Sequence, residues 1–182
     1  DVYYGATTSV SSVVGVANAA DSADSPAVGD VFRVDDGTAY DLGVNANIVS
    51  LDVVGDWNAT SLVAGAIATK GPAQIYYSTD DGDNWDETDK APTGTGLTAN
   101  FVVVDDDFAD SGIAWCASDA TTEGGFHLTN DFGASWNGIS MLDTNMATSV
   151  NDIAFTADYG TGDAPLFMVT TAITDTKSVW KY

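Results

Sequence analysis

Reactive side chains are scarce in this sequence and carboxylates are not. His127, Cys116 and Arg33 each occur once, against 25 aspartates and the two glutamates Glu87 and Glu123. A lone histidine between Phe126 and Leu128 has no second ligand or nucleophile at a metal or triad spacing, so it reads as a packing or edge residue. Cys116 sits in the apolar run Ile113–Ala114–Trp115–Cys116–Ala117 and reads as a buried, inert thiol with no disulfide partner. Carboxylate chemistry remains. Two acids could hydrolyse a glycosidic bond, but turns favour aspartate for its bonds to nearby backbone N–H groups. Asp52, Asp56, Asp105, Asp106 and Asp107, at blade edges, are therefore expected as solvated turn residues. Calcium takes several oxygen ligands. Its candidate sites are Asp80, Asp81 and Asp83 with Asp86, and Asp105, Asp106 and Asp107 with Asp110, neither at EF-hand spacing. No other cofactor is expected. Gly124–Gly125 reads as a turn rather than a phosphate cradle, and Asn58–Ala59–Thr60 is a glycosylation sequon.

The formal charge of −22 in 182 residues excludes one partner class. Nucleic acid needs clustered Lys and Arg, and there are five in all. Cations, saline surroundings or a basic partner suit the charge better. No stretch is long and apolar enough to span a membrane as a helix.

The elements that hold these residues repeat. Asp-aromatic pairs begin at Asp56, Asp107 and Asp158, two steps of 51 residues, each followed by an apolar run at the same offset. Short Val- and aromatic-rich runs alternate with Asp, Gly, Ser and Asn, which predicts strands joined by turns. Each unit reads as four strands, A to D. Strand A is Ile48–Val53, Phe101–Val104 and Val150–Phe155, and strand B is the run after each Asp-aromatic pair. Strand C is Gln74–Tyr77 and Gly125–Leu128, and strand D starts near Trp85 and Trp136. Four strands per unit of about 40–50 residues predicts an all-β propeller of antiparallel blades. The expected division of residues 1–182 is blade 1 (strands B–D) over 1–44, blade 2 over 45–95, blade 3 over 96–146, and blade 4 (strands A–C) over 147–182. In blade 1, Val2–Ala6 is taken as strand B, with Gly5 matching Gly65, and 14–28 as a surface-loop insertion. About four blades, incomplete at both ends, imply a longer chain or a partner that completes the sheet edges.

One motif recurs within the unit. Ser78–Thr79–Asp80–Asp81–Gly82–Asp83–Asn84–Trp85 returns 51 residues later as Thr129–Asn130–Asp131–Phe132–Gly133–Ala134–Ser135–Trp136, and Asp35, Gly37 and Tyr40 follow Arg33 as a weakened copy. The pattern resembles the Asp-box of bacterial neuraminidase repeats, and through the 51-residue unit the resemblance covers essentially the whole chain. Asp80 and Asp131 can accept backbone N–H groups across the turn, with Ser78 and Thr129 adding hydroxyl bonds. Gly82 and Gly133 allow a backbone conformation that a side chain would block, while Trp85 and Trp136 bury a large surface between blades. The resemblance implies a fold staple placed away from any active face.

Families with Asp-boxes include sialidases, glycoside hydrolases, sortilin-type receptors and prokaryotic surface proteins, so fold does not assign function. A sialidase resemblance implies three arginines clamping a carboxylate, and only Arg33 is present. The composition resembles that of surface-layer and cell-surface proteins. The expectation is a secreted, non-catalytic structural or interaction module that self-associates or meets other surface proteins. The alternative is a carbohydrate-binding or glycoside hydrolase-type propeller whose site lies largely outside this segment. A sortilin-like peptide binder is a third reading.

Overall fold

A computed structural model of the chain describes residues 2–6, 11–17, 30–35, 38–56, 59–68, 73–143, 149–156, 166–171 and 177–181. Short β-branched and aromatic runs between turn residues form strands because hydrogen-bonded ladders satisfy their backbone while alternate side chains pack. The first sheet is β1 (Val2–Ala6), β2 (Ser11–Ala17), β3 (Asp30–Asp35) and β4 (Thr38–Asp41), each antiparallel to the next. The second is β5 (Ile48–Asp56), β6 (Ala59–Ala66), β7 (Ile75–Ser78) and the two-residue β8 (Asp86–Glu87). The third joins β9 (Thr95–Val104), β10 (Ile113–Asn130) and β11 (Asn137–Asp143). β10 doubles back on itself. Its first half pairs with β9 and its second with β11, and the Ser118 hydroxyl bonds the N–H and the carbonyl of Gly125. The third sheet is thus a meander like the others. The fourth is β12 (Ser149–Phe155), β13 (Leu166–Thr171) and β14 (Lys177–Lys181). One helical turn, α1 (Phe108–Ser111), interrupts the β structure.

The first sheet differs from expectation at two places. Val2–Ala6 is its first strand rather than its second, so Gly5 does not correspond to Gly65. The second strand is Ser11–Ala17, whose Val-rich sequence pairs on both sides, with β1 and β3. Residues 14–17 therefore belong to the sheet and not to a loop, and 18–28 lie outside the described residues.

The sheets are propeller-type blades because consecutive ones pack face to face through their innermost strands, β1 and β2 on β5, β5 on β9 and β9 on β12. Among the described residues apolar side chains concentrate in one main cluster per junction, with a small fourth cluster of Ala73, Leu97 and Ala120 between blades 2 and 3. Val31 joins Ile48, Leu51, Val53 and Leu62 between blades 1 and 2. Val63 and Ile75 join Val102, Phe108, Cys116 and Trp136 between blades 2 and 3. Ala117 and Phe126 join Val150, Ile153, Leu166 and Met168 between blades 3 and 4. The close approach has a sequence cause at Gly65, where a Cβ would lie 2.0 Å from the Asn100 carbonyl oxygen. Asn100, fully buried, donates to the Ala73 carbonyl at 2.9 Å and ties the second blade to the third.

Candidate functional site

The two complete turn motifs, Ser78–Trp85 and Thr129–Trp136, are built alike. Thr129 ends the second half of β10, and its hydroxyl donates to Asp131 Oδ1 at 2.7 Å while accepting the Gly133 N–H at 3.1 Å. Asp131 also accepts the Ser135 N–H at 2.9 Å on Oδ1 and the Ser135 hydroxyl on Oδ2. In the preceding blade, the Ser78 hydroxyl donates to Asp80 Oδ1 at 2.8 Å and accepts the Gly82 N–H at 3.0 Å. Asn84 gives Asp80 its N–H at 3.0 Å and its side-chain amide at 2.7 Å. In each turn two residues have positive φ, Asp81 and Gly82 in one and Phe132 and Gly133 in the other. The first of each pair bonds back to its own blade. Asp81 exchanges two bonds with Thr60, and the Phe132 N–H donates to the Gly112 carbonyl at 3.1 Å.

These donors set the carboxyl acidities. Hydrogen bonds from Asn84 and Ser78 hold Asp80 below its ordinary value. At Asp131 burial pushes upward most strongly, but the Ser135 and Thr129 bonds together outweigh it and leave the group lowered. The tryptophans differ. Trp136 is fully buried between blades 2 and 3, and its indole N–H donates to the Gly133 carbonyl at 3.1 Å. Trp85 packs only partly against the first cluster, and its buried indole nitrogen has no hydrogen-bond partner among the described residues.

The weakened third copy is not such a turn. Asp35 pairs directly with Thr38 in a tight β3–β4 hairpin, and Tyr40, opposite Arg33, is 48% exposed. Tyr40 therefore does not take the buried tryptophan's place. Gly37 and the Asp35 side chain lie outside the described residues, as does Asn58 of the sequon.

The acidic runs stay apart. Among the described residues no three His, Cys, Asp or Glu side chains come together as a metal-holding group. Asp80 is taken up by its own turn and Asp81 by Thr60 of β6, and Asp83, like Asp86, is exposed. Asp105, Asp106 and Asp107 with Asp110 shape the chain into α1, which seats Phe108 in the second cluster, edge-on to Phe132 at 5.8 Å.

Asp52 departs from expectation. It lies in the middle of β5, not in a solvated turn, and reaches across to the next blade. Its Oδ2 accepts the Val104 N–H at 2.8 Å and its Oδ1 the Val53 N–H at 2.9 Å. Beside it the Ser50 hydroxyl accepts the Val102 N–H at 3.1 Å. Both close N–H groups on the open side of β9 that would otherwise lack partners. Burial raises the Asp52 carboxyl above its ordinary value despite these bonds, and the charge of Asp106 adds to the rise. The sequence held a signal for this, a polar residue at alternate positions of an otherwise apolar strand. Ser50, Asp52, Phe101, Val103, Asp152 and Ala154 line a cleft of about 290 Å³ where three innermost strands meet.

His127 is fully buried, with Nε2 within 3.1 Å of the Thr93 N–H and 2.9 Å of its carbonyl oxygen. Its Nδ1 has no partner among the described residues, and burial holds the imidazole below its ordinary pKa. Cys116 is buried, and its thiol is pushed up by that burial.

No protein-family model matches the sequence, and no curated protein is similar to it. Solved structures of Trypanosoma rangeli sialidase are among those to which the chain shows a distant likeness. In complex with sialic acid the identity is 10% and the TM-score 0.45, over 99% of this chain and 45% of that one. With the inhibitor DANA the values are 10% and 0.46, over 99% and 46%. A mutant displaying trans-sialidase activity gives 10% and 0.45, over 100% and 46%. The chain spans less than half the length of these structures. The class defined by the ladders and packing above is an all-β chain of propeller-type blades. Among the described residues no helix is long and apolar enough to cross a membrane.

Proposed function

We propose that this chain is a structural and interaction module of an extracellular or cell-surface assembly, made from Asp-box propeller repeats, and not a catalyst. One observation carries the reading. The box carboxylates are consumed by the turns they sit in, with Asp131 taking three donors from Thr129 and Ser135. A carboxylate held charged below its ordinary pKa and saturated with donors is a poor general acid or base. A single arginine also leaves no clamp of the kind a sialidase resemblance implies. The test is chemical cross-linking of the protein in its native surface setting, together with binding to a glycan array. Cross-links to neighbouring surface proteins or further copies, without glycan retention, support the module. Saturable glycan turnover overturns it.

The cleft favours a second reading. Phe101 with Asp52 and Asp152 offers an apolar wall beside carboxylates, the mixture that suits a sugar with one apolar face and several hydroxyls. Glycan retention that disappears in Asp152→Ala supports carbohydrate binding in place of the module.

A further inference from the structure

Asn137 opens β11, the outermost strand of blade 3, and Gly138 follows it. Of the chain's ten asparagines it is the one that precedes a glycine. The residue after an asparagine decides how easily its own backbone nitrogen reaches the side-chain carbonyl carbon, because a Cβ there restricts the backbone and stands in the way. Other glycines of the chain have structural reasons. Gly133 has a φ of +97°, and Gly65 lies too close to the Asn100 carbonyl to carry a Cβ. Gly138 has neither reason. Its φ is outside the left-handed region, and a Cβ would meet nothing nearer than Thr93 Oγ1 at 3.5 Å. The ladder is irregular at this point as well, since the register between β10 and β11 shifts between Phe126 and His127, which face Ser140 and Gly138. Asn137 and Gly138 are both exposed to water.

A cation is held on the group that would react. Lys90 Nζ donates to Asn137 Oδ1 at 2.7 Å. The backbone of Lys90 fixes where that side chain starts. Its N–H donates to the Ala134 carbonyl at 3.2 Å and its carbonyl accepts the Trp136 N–H at 2.9 Å, so the segment leaving blade 2 is clamped to the turn that leads into β11. An ammonium placed on an amide oxygen stabilises the negative charge that develops there when a nucleophile adds to the carbonyl carbon.

We propose that Asn137–Gly138 is a self-modification site, at which the folded chain converts Asn137 into an acidic residue with Lys90 assisting. The Gly138 backbone nitrogen gives up its proton and bonds to Asn137 Cγ. The Cγ–Nδ2 bond breaks, and Nδ2 leaves as ammonia with that proton, closing a cyclic imide. Water then adds to one of the two imide carbonyls and opens the ring, leaving aspartate or, where the backbone now runs through Cγ, iso-aspartate. The sum is one water taken up and one ammonia released, with no change of oxidation state. In the aspartate product the new carboxylate faces the Lys90 ammonium, so the hydrogen bond between the exit of blade 2 and the outer strand of blade 3 becomes an ion pair. The iso-aspartate product lengthens the backbone at the first pair of the ladder, Asn137 with Leu128. The inference stands apart from the interaction-module reading and does not rest on it.

The experiment is storage of the folded 182-residue chain in mildly alkaline buffer made with heavy-oxygen water, followed by peptide mass mapping. Opening of the imide puts one heavy oxygen into residue 137, and the labelled acid is expected to accumulate there faster than at any other asparagine. Gly138→Ala, which φ and space both tolerate, is expected to slow the conversion about tenfold or more. Lys90→Met keeps the backbone clamp and removes the ammonium. It is expected to slow the conversion about twofold to fivefold, the effect of one exposed charged contact. Circular dichroism checks that both variants are folded. Residue 137 remaining an amide in the folded chain, and becoming labelled only after unfolding in urea, overturns the proposal. A Gly138→Ala or Lys90→Met rate equal to or above that of wild type overturns it as well.

Discussion

Replacing Asp131 by alanine removes the acceptor on which the blade-3 turn converges. The Thr129 hydroxyl loses its 2.7 Å acceptor, and the Ser135 N–H and hydroxyl lose theirs. A net hydrogen bond to a charged group contributes about 1.5–3 kcal/mol. Three such bonds would overstate the loss, because Asp131 is only partly buried and water can reach the freed donors of an opened turn. About 2–3 kcal/mol is expected, which for a chain of this length lowers Tm by about 5–10 °C. Thermal unfolding followed by circular dichroism at neutral pH measures it. The pH dependence has a definite sign. The folded-state carboxyl is lowered, so its stabilisation is complete above the unfolded value near 3.9 and fades as pH falls through the lower folded value. The gap between wild type and Asp131→Ala should therefore narrow below about pH 4. A variant within about 0.5 kcal/mol of wild type, or a gap that widens with acid, would refute the role given to this turn. Asp80→Ala should cost less, since Asp80 and its partner Asn84 are exposed.

The tryptophans should separate in urea. Trp136→Ala is expected to lose about 3–5 kcal/mol through the cavity left in a fully buried site, whereas Trp85→Phe, whose indole N–H has no partner among the described residues, should stay close to wild type. Gly133→Ala should destabilise by more than about 1 kcal/mol, because φ is +97° and the new Cβ would lie 3.2 Å from Tyr77 Cβ. Urea midpoints of that variant check it. His127 is kept neutral by burial, so the unfolded chain takes up its proton first. Stability should fall as pH drops through about 6.5 toward the folded value, and His127→Gln should flatten that slope in a series of denaturant titrations.

The 51-residue period, the strand runs and the two complete turn motifs were legible in the sequence, because each depends on residues close together in the chain. A turn such as Thr129–Trp136 chooses its own partners, the donors for Asp131 lying within four residues of it. Blade 1 was harder to read because it departs from the period, and Ser11–Ala17, though Val-rich, takes its place in the sheet only through pairing with β1 and β3. The weakened motif at Asp35 kept its spacing but closed as a direct hairpin. Which acids are turn residues and which are buried depends on neighbours about fifty positions away. Asp52 resembles any other aspartate until Val104 arrives with its N–H. The same separation decides that Ile75 is buried, since its face of blade 2 is covered by residues of the next blade and by nothing within the strand itself.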